Sequence, residues 1–201
     1  MMLLMNTNRN LEKITGICSL IIVCFLMQAC APVIVGGAAT GAFVANDRRT
    51  TGTFVEDEAI ELKIQNALLS DKSMKGNAHI NATSFNTNVL LTGEAATEGA
   101  RQKIIVIAKN TSKVSHVFNE ITIAAPSALM ARSSDTLLTS NVKSRLLTDE
   151  SVNGSRIKVV TEAGVVYLMG IITRKEGGTA ALIASRASGV QKVVKLFQYS
   201  D

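Results

Sequence analysis

Residues 57–76 read DEAIELKIQNALLSDKSMKG, and residues 135–154 read DTLLTSNVKSRLLTDESVNG. At a shift of 78, Asp57, Leu68, Leu69, Asp71, Ser73 and Gly76 fall on Asp135, Leu146, Leu147, Asp149, Ser151 and Gly154. Ile60 and Ile64 fall on Leu138 and Val142. Further along, NVLLTG (88–93) answers VVYLMG (165–170) at a shift of 77, and SKVSHVFNEITI (112–123) answers SGVQKVVKLFQY (188–199) at 76. A drift of single residues over such a distance marks a duplicated unit, and a repeat decides architecture before any single motif does.

Both copies carry the same periodicities. Ile60, Ile64 and Leu68 recur every four residues, as do Leu138, Val142 and Leu146, and each set makes the buried stripe of an amphipathic helix. The acidic run Glu56, Asp57 and Glu58 reads as the start of the first of these helices, where negative charge complements the helix dipole. Strands are predicted at 78–83 and 88–95, joined at FNTN, and at 156–161 and 165–172, turning at Glu162-Ala163-Gly164. A second helix follows near 97–110 and 176–187, then a closing strand near 114–123 and 191–199. The order αββαβ predicts an α+β fold: a small three-stranded mixed sheet covered on one face by two helices, built twice. The two domains span 54–125 and 131–201 and are joined by AAPSALMA.

Working back toward the N-terminus, Arg9 and Lys13 precede ITGICSLIIVCFLM (14–27), an uncharged run. It is shorter than the roughly 20 residues of a membrane span and suits the apolar core of a secretory signal peptide. The run ends at LMQACAP (26–32), which resembles a bacterial lipobox. That resemblance implies cleavage of a 1–29 signal peptide before Cys30 and acylation of the Cys30 thiol. An ordinary signal peptide with an incidental cysteine, or a short buried apolar helix, is the alternative. Cys18 and Cys24 would leave with the leader, so Cys30 would be the only thiol of the mature chain, awkward in an oxidising compartment unless acylated. Ala31 follows it rather than the Asp of inner-membrane retention, which points to the outer membrane. Residues 31–45, APVIVGGAATGAFVA, are too short to span and read as a small-residue tether. NDRRTTGT (46–53) reads as the polar linker that ends it.

The helix ending LLSDKSMKG or LLTDESVNG, the VLLTG or VYLMG strand and the SGVQKVV segment resemble the BON domain, across nearly the whole mature chain. The resemblance implies a periplasm-facing, lipid-anchored outer-membrane protein. Its second BON domain would bind anionic phospholipid, chiefly phosphatidylglycerol, and it would support membrane integrity and localise to the division site.

Composition separates the two copies. Residues 54–125 carry seven basic and eight acidic residues, whereas residues 126–201 carry ten basic and six acidic. On the first helix, Glu58, Glu61, Gln65 and Ala67 are replaced by Thr136, Thr139, Lys143 and Arg145, and Ala59 by Leu137. An extra apolar residue followed by bases suits a helix lying at a lipid interface. The candidate lipid-binding residues are therefore Leu137, Leu138, Asn141, Lys143 and Arg145, with Leu129 and Met130 as further apolar contacts. Leu137 packed into an interdomain contact is the alternative, and the helix lacks the Trp or Tyr favoured at interfaces.

No catalytic constellation emerges. His79 and His116 fall in strand segments without Cys or carboxylates at ligand spacing. Ser188-Gly189 and Gly177-Gly178 lack the flanks of a nucleophile elbow or a phosphate loop. The sequence thus points to a non-enzyme without metal or cofactor, and export leaves no nucleic-acid partner. The competing reading is a protein-interaction module holding an outer-membrane assembly or peptidoglycan-associated partner.

Overall fold

The computed structural model describes residues 48–125 and 129–201. The leader, Cys30 and the tether up to residue 47 lie outside the described residues, as do the side chains of Leu129 and Met130.

The first domain runs α1 (Thr51–Ser70), β1 (Ala78–Phe85), β2 (Asn88–Ala95), α2 (Glu98–Asn110) and β3 (His116–Ile123). The second runs α3 (Leu129–Thr148), β4 (Lys158–Glu162), β5 (Val165–Ile172), α4 (Arg174–Ser185) and β6 (Lys192–Tyr199). A single 3-10 turn, Gly154–Arg156, precedes β4. Each sheet has its middle strand antiparallel to the first and parallel to the last, in the orders β1-β2-β3 and β4-β5-β6. The parallel step needs a crossover, which α2 and α4 supply.

α1 begins earlier than the acidic run predicted. The Thr50 hydroxyl accepts from the Thr53 N–H and caps the helix, so Glu56, Asp57 and Glu58 occupy its second turn. Residues 48–53 are accordingly folded onto the domains and are not a free linker. Both hairpins close with two residues of positive φ, Asn86 (50°) and Thr87 (64°) in one and Ala163 (48°) and Gly164 (75°) in the other. Such turns match the right-handed twist of the strands they join.

Three cores result. Ile60, Ile64 and Leu68 pack with Val89, Leu91 and Ile104 between the first sheet and its helices. Leu138, Val142 and Leu146 do the same with Val166, Leu168 and Ile183 in the second domain. The third core joins the domains: Phe85 and Leu90 meet Tyr167 and Met169, flanked by Phe118, Val160, Ile171 and Leu196. The sheets therefore pack face to face, and the middle strands β2 and β5 are buried on both faces along most of their length.

The seam is also tied by polar contacts. Lys158 Nζ lies 2.8 Å from Glu61 Oε1 and donates to the Ser84 carbonyl at 3.1 Å. Asn86 Nδ2 donates to Gln198 Oε1 at 2.6 Å. Arg48 donates to the Ile171 carbonyl and to Ser200 Oγ, which fastens the segment entering the first domain onto the second.

Candidate functional site

The aspartates repeated at positions 57 and 135 do the same job in each copy. Asp57 is 1% exposed, and its carboxylate accepts from the N–H groups of Asn86 and Thr87 and from Ser84 Oγ. Arg49 Nη1 sits 2.9 Å from it, with its guanidinium 4.0 Å from the centre of the Phe85 ring. Asp135 accepts from the N–H groups of Ala163 and Gly164 at 2.8 and 2.9 Å. Each helix thereby clamps the hairpin turn beneath it. These acids are structural, which accounts for their repetition without chemistry.

Beside the second clamp lies an open groove of about 560 Å³, lined by Leu137, Leu138 and Asn141 of α3, the Ala163-Gly164 turn, and Ser188, Gly189 and Gln191 of the α4–β6 loop. Leu137 is 73% exposed, so it is not packed into the interdomain contact. Leu138, a candidate for lipid contact, is instead a core residue, 9% exposed, because it continues the stripe of Val142 and Leu146. A Cβ on Gly189 would touch both its terminal methyls at 3.8 Å, so it floors the groove rather than reaching outward.

Asn141, Lys143 and Arg145 are exposed. They are not on one flank. At 3.6 residues per turn, Asn141 and Arg145 stand about 40° and 80° from Leu137, while Lys143 stands about 120° away on the other side. Arg145 Nε donates to Asn141 Oδ1 at 2.8 Å, which ties those two along the flank that bears Leu137. On the opposite flank Thr139 donates to Thr161 Oγ1 in β4.

The first domain shows what this place becomes when it is filled. Lys63, which aligns with Asn141, donates from Nζ to Ser112 Oγ at 3.0 Å; Ser112 aligns with Ser188. Lys113, which aligns with Gly189, lies 3.8 Å from Glu56, which aligns with Ser134. Two lysines thus bridge α1 to the α2–β3 loop, and the second copy replaces them with asparagine and glycine. Ser188, Gly189 and Gln191 were absent from the candidates read in sequence. The signal that would have found them is the Lys113–Gly189 difference between the copies.

Elsewhere, carboxylates gather at one end of the seam. Glu162 accepts from Asn81 at 3.3 Å. Burial raises its pKa, Asn81 and Thr92 oppose this by hydrogen bonding, and the charges of Glu94 and Asp135 add to it. The Tyr167 hydroxyl donates to Glu120 Oε2 at 3.3 Å, and burial together with that charge raises its pKa. His116 is exposed at the start of β3 and packs edge-on against Phe118, while His79 lies in β1. Among the described residues no three His, Cys, Asp or Glu converge as a metal-binding group, and no described helix is long and apolar enough to cross a membrane.

A duplicated αββαβ unit with a helix aspartate clamping each hairpin defines the class of protein. The BON domain family model matches residues 56–125 and again 134–201, and the chain belongs to that family. It is 39% identical to the Outer membrane lipoprotein DolP of Haemophilus influenzae over 175 residues, covering 87% of this chain and 91% of that protein. It is 34% identical to a 21 kDa hemolysin of Actinobacillus pleuropneumoniae, covering 76% and 79%. It is 28% identical to the Osmotically-inducible protein Y of Escherichia coli, covering 76% and 77%.

Proposed function

We propose that this chain is a non-enzymatic outer-membrane lipoprotein, acylated at Cys30 and facing the periplasm, whose second BON domain seats on anionic phospholipid. The relative named an outer membrane lipoprotein, matched over most of both chains, supports the address and the anchor. One observation carries the lipid reading: the groove beside α3 is open in the second domain, while lysine bridges span its counterpart in the first. Leu137 offers the apolar contact, and Asn141, Ser188 and Gln191 offer hydrogen-bond donors to a headgroup phosphate. Arg145 adds a cation on the same flank, worth about 1 kcal/mol near an anionic surface. Such a contact is weak alone and suffices when an acyl anchor holds the domain at high effective concentration. Maintenance of membrane integrity and placement at the division site are the cellular roles this reading proposes.

The test is co-sedimentation of a soluble fragment from Ala45 onward with vesicles. The fragment must include Arg48 and Arg49, because both are bonded into the folded body. Binding to phosphatidylglycerol vesicles and not to zwitterionic ones is expected. Leu137→Glu with Arg145→Glu removes it, while Lys143→Glu on the other flank leaves most of it. Absence of selective binding by the unaltered fragment overturns the lipid reading in favour of a protein partner. In cells, Cys30→Ser is expected to abolish incorporation of labelled palmitate.

A further inference from the structure

The first domain, which the lipid reading leaves without a role, carries a groove of its own. It lies between the end of α1 and the start of β1, encloses about 640 Å³, and is floored by Leu68, Met74 and Ile80. All three are core residues, 6–7% exposed. Lys72 and Lys75 stand exposed on its rim, and no acid lines it. Asp71, beside Lys72 in the chain, is neutralised by Lys103. Among the described residues neither Lys72 nor Lys75 has an ion-pair partner.

The second copy closes the same place. A Cβ on Gly154 would lie 2.2 Å from the Leu146 carbonyl oxygen, whereas a Cβ on Gly76, its counterpart, would meet nothing within 4 Å. The loop thus lies against its helix in one copy and stands off it in the other. Glu150 and Asn153 occupy the positions of Lys72 and Lys75. Cations suit a helix C-terminus, but the second copy does without them, so the dipole does not demand these two.

Past Gln65 the groove runs on into a second of about 420 Å³, walled by Leu62 and Glu58 of α1 and by Asn81 and Ala82 of β1. Ser140 and Thr136 align with Leu62 and Glu58, so this stretch too is particular to the first domain. Along α1 the wall therefore changes from acidic at Glu58, through apolar at Leu62, to basic at Lys72 and Lys75.

β1 is an edge strand. The two-residue turn makes Phe85 and Asn88 a hydrogen-bonded pair, so Ile80 and Ala82 turn their N–H and C=O groups outward. Among the described residues nothing caps them on that side. An acyl chain would leave those groups unpaired, whereas an extended peptide would bond them. Ser84, near the end of β1, is held by Asp57 and Glu61 of α1, so helix and strand run in opposite directions. A strand added antiparallel to β1 therefore runs with α1, from Glu58 toward Lys72. Its last residue and those two and four before it face the helix. Four strand steps cover about 13 Å, and the helix from Glu58 to Leu69 about 16 Å. An arginine side chain spans the difference.

We infer that the first BON domain captures the C-terminus of an extended polypeptide. The terminal carboxylate sits between Lys72 and Lys75, an apolar last residue sits over Leu68 and Met74, and a basic residue four places earlier faces Glu58. This site is independent of the lipid groove.

The probe is a fluorophore-labelled pentapeptide of arginine, serine, valine, threonine and leucine, in that order, with a free carboxylate. Fluorescence anisotropy follows its binding to the full chain in zwitterionic detergent micelles. Saturable binding is expected, and the same peptide ending in an amide binds at least about tenfold more weakly. Lys72→Glu with Lys75→Glu gives a similar loss. Glu58→Lys reverses the preference, favouring a peptide with glutamate in place of the arginine. Leu137→Glu with Arg145→Glu, at the lipid groove, leaves peptide binding unchanged, so the two readings fail separately. Absence of saturable binding, equal affinity for acid and amide, or an unreversed preference in Glu58→Lys overturns the inference. Saturable binding of oleate with none of the peptide overturns it in favour of a single-chain amphiphile.

Discussion

The ammonium of Lys158 in the second domain reaches 2.8 Å from Oε1 of Glu61 in the first, and Glu61 in turn holds the Ser84 N–H at 2.7 Å. One side chain thus ties the edge of β4 to the turn end of β1. Lys158→Ala and Lys158→Met are both expected to destabilise the protein by about 2 kcal/mol, because hydrogen bonds to a charged group are lost in either. Urea unfolding measures the change. If the methionine variant is as stable as wild type, Lys158 acts through its aliphatic stem alone.

The two helix aspartates differ in burial and should differ in worth. Asp57→Ala leaves two turn N–H groups and the Ser84 hydroxyl without their acceptor and removes the carboxylate that the buried Arg49 faces, and is expected to cost about 3–5 kcal/mol. Asp135→Ala removes two turn hydrogen bonds from a partly exposed site, at about 1–2 kcal/mol. Denaturant midpoints with unchanged slopes would establish the order. Equal losses would contradict it.

Glu162 predicts a pH dependence. Its folded pKa is raised above the ordinary 4.5, chiefly by burial. The folded state therefore holds the proton more tightly than the unfolded chain. Its contribution is fully present below about pH 4.5 and is lost as pH rises through the folded value. Glu162→Gln is expected to raise Tm at pH 7 and to give no gain at pH 4. Asp71 runs the opposite way. Hydrogen bonds from Lys103 and Ser73 hold it at about 2, so its contribution is present above 3.8 and is lost as pH falls toward 2. Asp71→Asn is expected to lower Tm at pH 7 and to match wild type at pH 2.

Gly93 closes the VLLTG motif at φ 112°, and a Cβ there would sit 2.1 Å from the His79 carbonyl oxygen across the hairpin. The strands cannot close around a side chain. Gly93→Ala is expected to cost more than about 3 kcal/mol through strain in a region that only glycine adopts readily. Thermal unfolding of the variant tests this; a loss below about 1 kcal/mol would show that the backbone relaxes.

The element order, both hairpin turns and the core stripes were legible because they rest on local periodicity, and Ile60, Ile64, Leu68, Val142 and Leu146 lie where that periodicity puts them. The start of α1 was misread. An acidic run mimics a helix N-terminus, whereas Thr50 is the cap and Asp57 is drawn inside by a turn about thirty residues away. The candidate site was half legible. Leu137 stood out against Ala59, but the loop that completes the groove is distant in sequence, and Lys143 was counted by proximity along the chain rather than by angle around the helix.

By itself the sequence determined the duplicated αββαβ unit, since each copy writes its own hydrophobic pattern and turn residues into about seventy positions. What only the tertiary structure decided is how the copies meet and which surfaces that leaves open. Apolar residues on the outer sheet faces, such as Leu90 and Met169, look in sequence like any buried strand residue. That they cover one another depends on contacts between residues far apart in the chain, which no local pattern encodes.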